Sequence, residues 1–205
     1  MRAIFALVLA LLIATPVVAG DLTVRVRDAA GQPVRDAVVT VHPAAGIPDR
    51  PIRFPWQMRV IQQDVQFQPH VLIVPKGATV TFPNLDRMRH HVYSFSRGNR
   101  FEIELFGRDQ TRSHAFNSVG VAAIGCNIHD QMLAYIKVVD TPWAAKTPST
   151  GDIVLRNIPT GGATLTVWHP RLAVRANETS RVITVGAAAG RQTVTGDFSG
   201  RAAVR

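Results

Sequence analysis

The chain has 205 residues, 46% of them hydrophobic, with 23 Lys and Arg against 14 Asp and Glu, a formal net charge of +9 and one cysteine. That length and apolar content can bury a sizeable core, in one large domain or two small ones. A lone cysteine excludes an internal disulfide framework, the absence of a basic run or aromatic platform excludes a nucleic-acid surface, and no stretch beyond the N-terminus is apolar enough to span a bilayer.

The N-terminus is read first because it sets the compartment. Met1-Arg2 is a short basic start, Ala3 to Ala14 is an almost unbroken apolar run, and Thr15-Pro16 breaks it before the small residues of Val17-Val18-Ala19. This is the pattern of a secretory signal peptide, residues 1–19, and predicts export to the periplasm. A membrane anchor is the alternative, but the run is shorter than the roughly 20 residues a spanning helix needs. The protein is therefore expected not to be membrane-embedded after cleavage, and to be a monomer. Loss of Arg2 leaves a charge of +8, with arginine far outnumbering lysine and scattered along the chain. The plain reading of that charge is a solvated basic surface; the sharper one is steering toward an acidic redox partner.

Helix signals are almost absent from the rest of the chain. Short alternating or β-branched runs, punctuated by Gly, Pro, Asn and Asp, predict an all-β fold. Asp21 to Arg27 alternates Leu22, Val24 and Val26 with Thr23, Arg25 and Arg27, one buried face and one wet face. Asp28 to Pro33 reads as a turn, Val34 to Val41 as the next strand, and His42 to Pro55 as a linker with Trp56 at its end. A second β region runs from about Gln57 to Asp140, its strands marked by Val60, Val65, Phe67, Val71, Ile73, Val80 and Phe82, then by 92–95, 101–105, 113–116 and 119–124, and closed by 134–139. The third region, Gly151 to His169, has a turn at Asn157-Ile158-Pro159-Thr160-Gly161 followed by an alternating strand. Neither flank carries enough strands to close a sandwich alone. Residues 20–56 and 141–205 are expected to close one together, with residues 57–140 inserted into it or packed beside it; two tandem modules are the alternative.

The chemistry concentrates in Gly125-Cys126-Asn127-Ile128-His129-Asp130-Gln131-Met132. An unpaired thiol in an oxidising compartment calls for metal ligation, deep burial or an intermolecular disulfide. Here a thiolate, an imidazole and a thioether arrive in one tight loop, a set that suits a soft transition metal and copper above all. A type 1 (blue) copper centre takes two histidines, one cysteine and a weak axial methionine. The loop supplies three of these, and Phe82 to Phe95, with His90 and His91, offers the second histidine. Taken singly, Cys126 reads as a core residue, His129 as a polar side chain in a solvated turn and Met132 as ordinary packing; the spacing of all three is what points to a metal.

Several stretches resemble known families. Asp28-Ala-Ala-Gly-Gln-Pro-Val-Arg-Asp-Ala-Val-Val-Thr-Val41 resembles the opening hairpin of the carboxypeptidase regulatory-like (transthyretin-like) β-sandwich, and Gly151 to His169 looks like its later strands. Phe67-x-Pro-x-Val-Leu-Ile-Val74-x-x-Gly77-x-x-Val80-x-Phe82-x-Asn84 resembles the front end of the cupredoxin Greek-key β-sandwich. The Cys-x-x-His-x-x-Met loop is the short form of amicyanin-like cupredoxins. His90-His-Val-Tyr-Ser-Phe-Ser with Gly-Cys-Asn-Ile-His-Asp is similar to plastocyanin-like proteins labelled methylamine utilisation proteins, a label that implies kinship and no substrate. In this resemblance the first ligand lies in Asn-x-x-x-x-x-His-polar-Val, which Asn84 to Val92 matches. The resemblance implies one copper ion held by His90, Cys126, His129 and Met132. Between the adjacent histidines, the alternation that turns Val92 inward also turns His90 inward. Asn84 and backbone N–H groups near the thiolate are expected to orient the loop and tune the potential. His42, His70, His114 and His169 are expected not to be ligands, with His169 a docking or outer-sphere candidate.

These readings imply a periplasmic one-electron carrier and no enzyme. The alternative is a copper chaperone or storage protein, a class that leaves its metal exposed and exchangeable, often among several Met or Cys residues; this chain has only four Met. A thiol hydrolase using Cys126 and His129 would need a base and oxyanion donors, and gives no role to Met132 or His90.

Overall fold

The structure, a computed structural model, describes residues 18–201. The expected signal peptide therefore lies outside the described residues except for Val18 and Ala19. Among the described residues no helix is long and apolar enough to cross a membrane, and the only helix is a three-residue 3₁₀ turn, Arg175–Asn177. The rest is strand and loop, the all-β class that the residue patterns predict.

Strand β1 (Ala19–Asp28) follows the alternation: Leu22, Val24 and Val26 are buried and the residues between them half-exposed. Its first residue, the expected end of the signal, already pairs with Pro159. β2 (Val38–Pro43) starts later than the expected Val34, because Asp36 adopts a left-handed backbone (φ 63°) that interrupts an extended run. It also takes in His42 and Pro43, which the composition assigns to the linker. The hairpin β3 (Ile61–Gln63) and β4 (Gln66–Gln68) is closed by Asp64 and Val65, at φ 56° and 54°. Val65, expected on a strand, thus sits in a two-residue turn that requires positive φ at both positions.

The remaining strands follow in quick succession: β5 (Val71–Pro75), β6 (Ala78–Pro83), β7 (His90–Ser94), β8 (Phe101–Phe106), β9 (Thr111–Phe116), β10 (Gly120–Gly125) and β11 (Leu133–Val139). Then come β12 (Ala144–Lys146), β13 (Asp152–Pro159), β14 (Gly161–Trp168), β15 (Glu178–Val185) and β16 (Gly190–Gly196). The middle of the chain forms a five-stranded sheet in the order β5-β11-β10-β7-β8, antiparallel throughout except for the β5–β11 pair. The β6–β9 ribbon and the β3–β4 hairpin make its other layer. Phe82, Phe106, Phe116, Ile124, Ile136 and Val138 fill the space between, in one cluster with Cys126 and Met132.

The first and last strands meet. β1 pairs antiparallel with β13 and parallel with β16, while β2 lies between β12 and β14, with β15 outside. These three- and four-stranded sheets enclose a second cluster that includes Leu22, Val24, Val41, Leu155, Leu165 and Val185. Each such side chain, fully buried, contributes about 1.5–3 kcal/mol. Buried threonines stitch the inner edge: Thr147 Oγ1 donates to Val34 O at 2.7 Å, and Thr141 Oγ1 to Val41 O at 2.7 Å.

A third cluster joins the two units. Ile73, Ala123 and Tyr135 on the outer face of the five-stranded sheet pack against Val38, Ala144 and Trp168. Tyr135 and Trp168 meet edge to face, with ring centroids 5.6 Å apart. Lys137, itself buried, crosses the seam to Glu178 at 2.6 Å and lies 5.7 Å from the Trp168 ring. Lys146 Nζ returns the connection by donating to Val71 O at 2.9 Å.

Candidate metal centre

The strand order brings the site together. β10 and β11 are antiparallel, with Gly125 opposite Leu133, so residues 126–132 form the loop between them. Gly125 also pairs with Tyr93 on β7, the strand that His90 begins. Cys126 and His90, 36 positions apart in sequence, therefore become neighbours at one end of the sheet.

The side chains converge on a small volume. Cys126 Sγ lies 4.0 Å from His90 Nδ1 and 3.8 Å from His129 Nδ1. The His90 and His129 rings are 5.0 Å apart at 63°. All three donor atoms lie within 4.8 Å of one another, with His90 and Cys126 buried and His129 partly open. Met132 is also buried, in the same cluster as Cys126, and its N–H donates to His129 O at 2.9 Å.

His91 goes elsewhere. Its ring is buried against Tyr93, its Nε2–H donates to Glu102 Oε1 at 2.9 Å, and its Nδ1 has no partner among the described residues. The β7–β8 register shifts between His90 and Val92, and across that irregularity only His90 faces Cys126.

Two polar residues order the loop before His90. Buried Asn84 donates from Nδ2 to Met88 O at 2.9 Å and to Phe106 O at 3.0 Å, and its Oδ1 accepts from Asp86 N–H at 2.9 Å. Asp86 then turns its carboxylate back on the histidine, and His90 Nε2–H donates to Oδ2 at 2.7 Å. The same carboxylate accepts from the N–H groups of Asp64 at 2.7 Å and Val65 at 3.0 Å. Burial raises the Asp86 pKa, but the bonds from His90, Val65 and Asp64 outweigh it and hold the carboxyl below its ordinary value. The sequence reading missed Asp86: its position four residues before His90 is a signal only once the loop is known to close on itself.

The other histidines have their own partners. His42 bonds Asp140 at 2.8 Å, His70 donates to Leu133 O at 3.1 Å, and His114 stacks on Phe101 with centroids 4.1 Å apart. Burial pushes the pKa of His114 down. His169, the docking or outer-sphere candidate, is buried between Phe198 and the Arg171 backbone, and the structure does not bring it to the cluster.

The donor set fits a metal. A trigonal ion with bonds of about 2.3 Å to sulfur and about 2.0 Å to nitrogen would separate Sγ from each Nδ1 by about 3.7 Å, close to the spacing here, whereas a good hydrogen bond would be shorter. Two imidazoles and one thiolate with a thioether close in the chain are the ligand chemistry of copper rather than of structural zinc, whose fourth ligand is another Cys, His or carboxylate.

No protein-family model and no curated protein matches the chain. Among solved structures it is similar to the copper-containing nitrite reductase of Thermus scotoductus, at 26% identity over 42% of this chain and 23% of the other, with a TM-score of 0.39. It is also similar to a purple cupredoxin from Nitrosopumilus maritimus, at 22% identity over 40% of this chain and all of the other, TM-score 0.37. A reduced amicyanin variant matches at 21% identity over 51% of this chain and 99% of the other, TM-score 0.38. The chain thus spans under a quarter of the reductase's length.

Proposed function

We propose that this protein is an exported type 1 copper protein of the cupredoxin kind that carries single electrons, with His90, Cys126, His129 and Met132 as ligands of one copper ion. The observation that carries this reading is the convergence of one ring nitrogen from each histidine and one Sγ within 4.8 Å of one another. Copper bound there supplies reversible one-electron exchange. The chain's part is to hold the donors still: His90 begins a strand, while Cys126, His129 and Met132 share a short loop between two paired strands. A fixed donor set limits reorganisation between the two oxidation states, and Met132 is assigned the weak axial place that tunes the potential. We assign residues 57–140 to the copper domain and 20–56 with 141–205 to a regulatory-like sandwich around it. Residues 1–19 are assigned to an export signal, which makes the compartment the periplasm and the partner another redox protein.

Burial of His90 and Cys126 favours electron carriage over the chaperone or storage alternative, which calls for exposed, exchangeable ligands. The copper-loaded protein is expected to show intense visible absorption from thiolate-to-copper charge transfer and a reversible one-electron wave. A Cys126→Ser variant that kept the band would remove the proposal. Met132→Leu should keep copper and raise the potential; loss of copper in that variant would exclude Met132 as a weak axial ligand.

A further inference from the structure

We propose that Asp86 is a positioning residue for the copper centre, its carboxylate fixing the His90 ring with Nδ1 toward Cys126 and tying that ring to the turn between β3 and β4. The inference rests on the copper reading above.

The geometry is specific. An imidazole that presents Nδ1 to an ion must carry its proton on Nε2, and the group that accepts that proton sets both tautomer and ring rotation. Here the acceptor is Asp86 Oδ2 at 2.7 Å from Nε2. The His90 ring is fully buried, so no solvent competes for that proton.

The carboxylate is held from its other side as well. Asp64 N–H donates to Oδ1 at 2.7 Å and Val65 N–H to Oδ2 at 3.0 Å. Both donors belong to the tight turn in which Val65, a β-branched residue, holds a left-handed backbone at φ 54°, a conformation that persists only when its surroundings impose it. One carboxylate therefore satisfies two turn amides and orients one ring. Its negative charge, one imidazole away from the ion, favours Cu(II) over Cu(I).

The test separates orientation from anchoring. In metal-free protein, nitrogen NMR should find His90 protonated on Nε2 in the wild type and a tautomer mixture in Asp86→Ala. Asp86→Ala should weaken Cu(II) binding by about 10- to 100-fold, the usual effect of losing such a partner. Asp86→Asn, which keeps the shape and loses the charge, should raise the reduction potential, and serves if the alanine variant does not fold. Val65→Gly eases the turn but keeps its N–H, and should leave affinity within twofold and potential unchanged. If both Asp86 variants lose only thermal stability, with the His90 tautomer, copper affinity and potential as in the wild type, Asp86 merely anchors the turn and the proposal is overturned. Failure of the copper reading would show separately, as a wild type without the charge-transfer band, and the metal-free tautomer would still decide the Asp86–His90 link.

Discussion

His169 shows how a residue's surroundings set its protonation. Burial pushes its pKa down to about 4, with Asp36 and the Arg35 backbone opposing that shift. The Arg171 N–H donating to its Nδ1 at 3.1 Å also requires an unprotonated nitrogen. The unfolded chain takes up this proton near pH 6.5, its ordinary value, and the folded chain only near 4. Between those values the unfolded state binds more protons, so the contribution to stability is complete above pH 6.5 and is lost as the pH falls to about 4. His169→Asn, which keeps an acceptor for Arg171, should therefore lose less urea resistance than the wild type between pH 7 and pH 4.5. Equal losses would mean that another group is responsible. The proposed ligands contrast with this case. Cys126, His129 and Met132 are legible in sequence because one loop carries all three, whereas Asp86 acts on His90 only after Asn84 has folded the intervening loop.

Among the elements, the β7–β10 contact decides the shape of the site. Gly125, directly before Cys126, lies under the Tyr93 ring, and a Cβ built there would fall 2.9 Å from Tyr93 Cζ and Oη. Gly125→Ala should destabilise the protein by about 1–2 kcal/mol, toward the low end of overpacking costs, because a half-buried ring can swing aside. In a Tyr93→Val background the same change should cost far less, and denaturation of the four proteins of that cycle measures the coupling. An equal cost in both backgrounds would remove Tyr93 as the cause. The β3–β4 hairpin carries the opposite lesson. Its apolar Val65 reads as strand in a linear scan, but a two-residue link demands positive φ, and turn geometry overrides side-chain preference.

For the molecule as a whole, the seam between the two sandwiches matters most. Trp168 from one unit packs on Tyr135 of the other and lies under the Lys137–Glu178 ion pair. A seam with its own apolar cluster couples the two cores, so calorimetry should find a single unfolding transition in the wild type. Trp168→Ala should cost about 3–5 kcal/mol, as large-to-small core substitutions of Trp do, and split the unfolding into two transitions. Two transitions already present in the wild type would show that the seam does not couple them. Covering the outer face of the five-stranded sheet also leaves fewer routes by which another protein can approach the His90–Cys126–His129 cluster, which turns attention to the partly open His129 edge.

By itself the sequence determined what is local or periodic: the all-β class, the alternation of β1, the need for a second strand set to complete each flank, and a Cys-His-Met loop suited to a soft metal. These follow because a two-residue period marks which face of a strand is buried, and because ligands within one short loop are close whatever the rest of the chain does. Only the tertiary structure decided which carboxylate holds the His90 ring, where the His91 ring goes instead, and which strands lie beside β1. Periodicity says that a face is covered and never by what, and contacts across long stretches of chain depend on strand order and register, which arise from the packing of the whole.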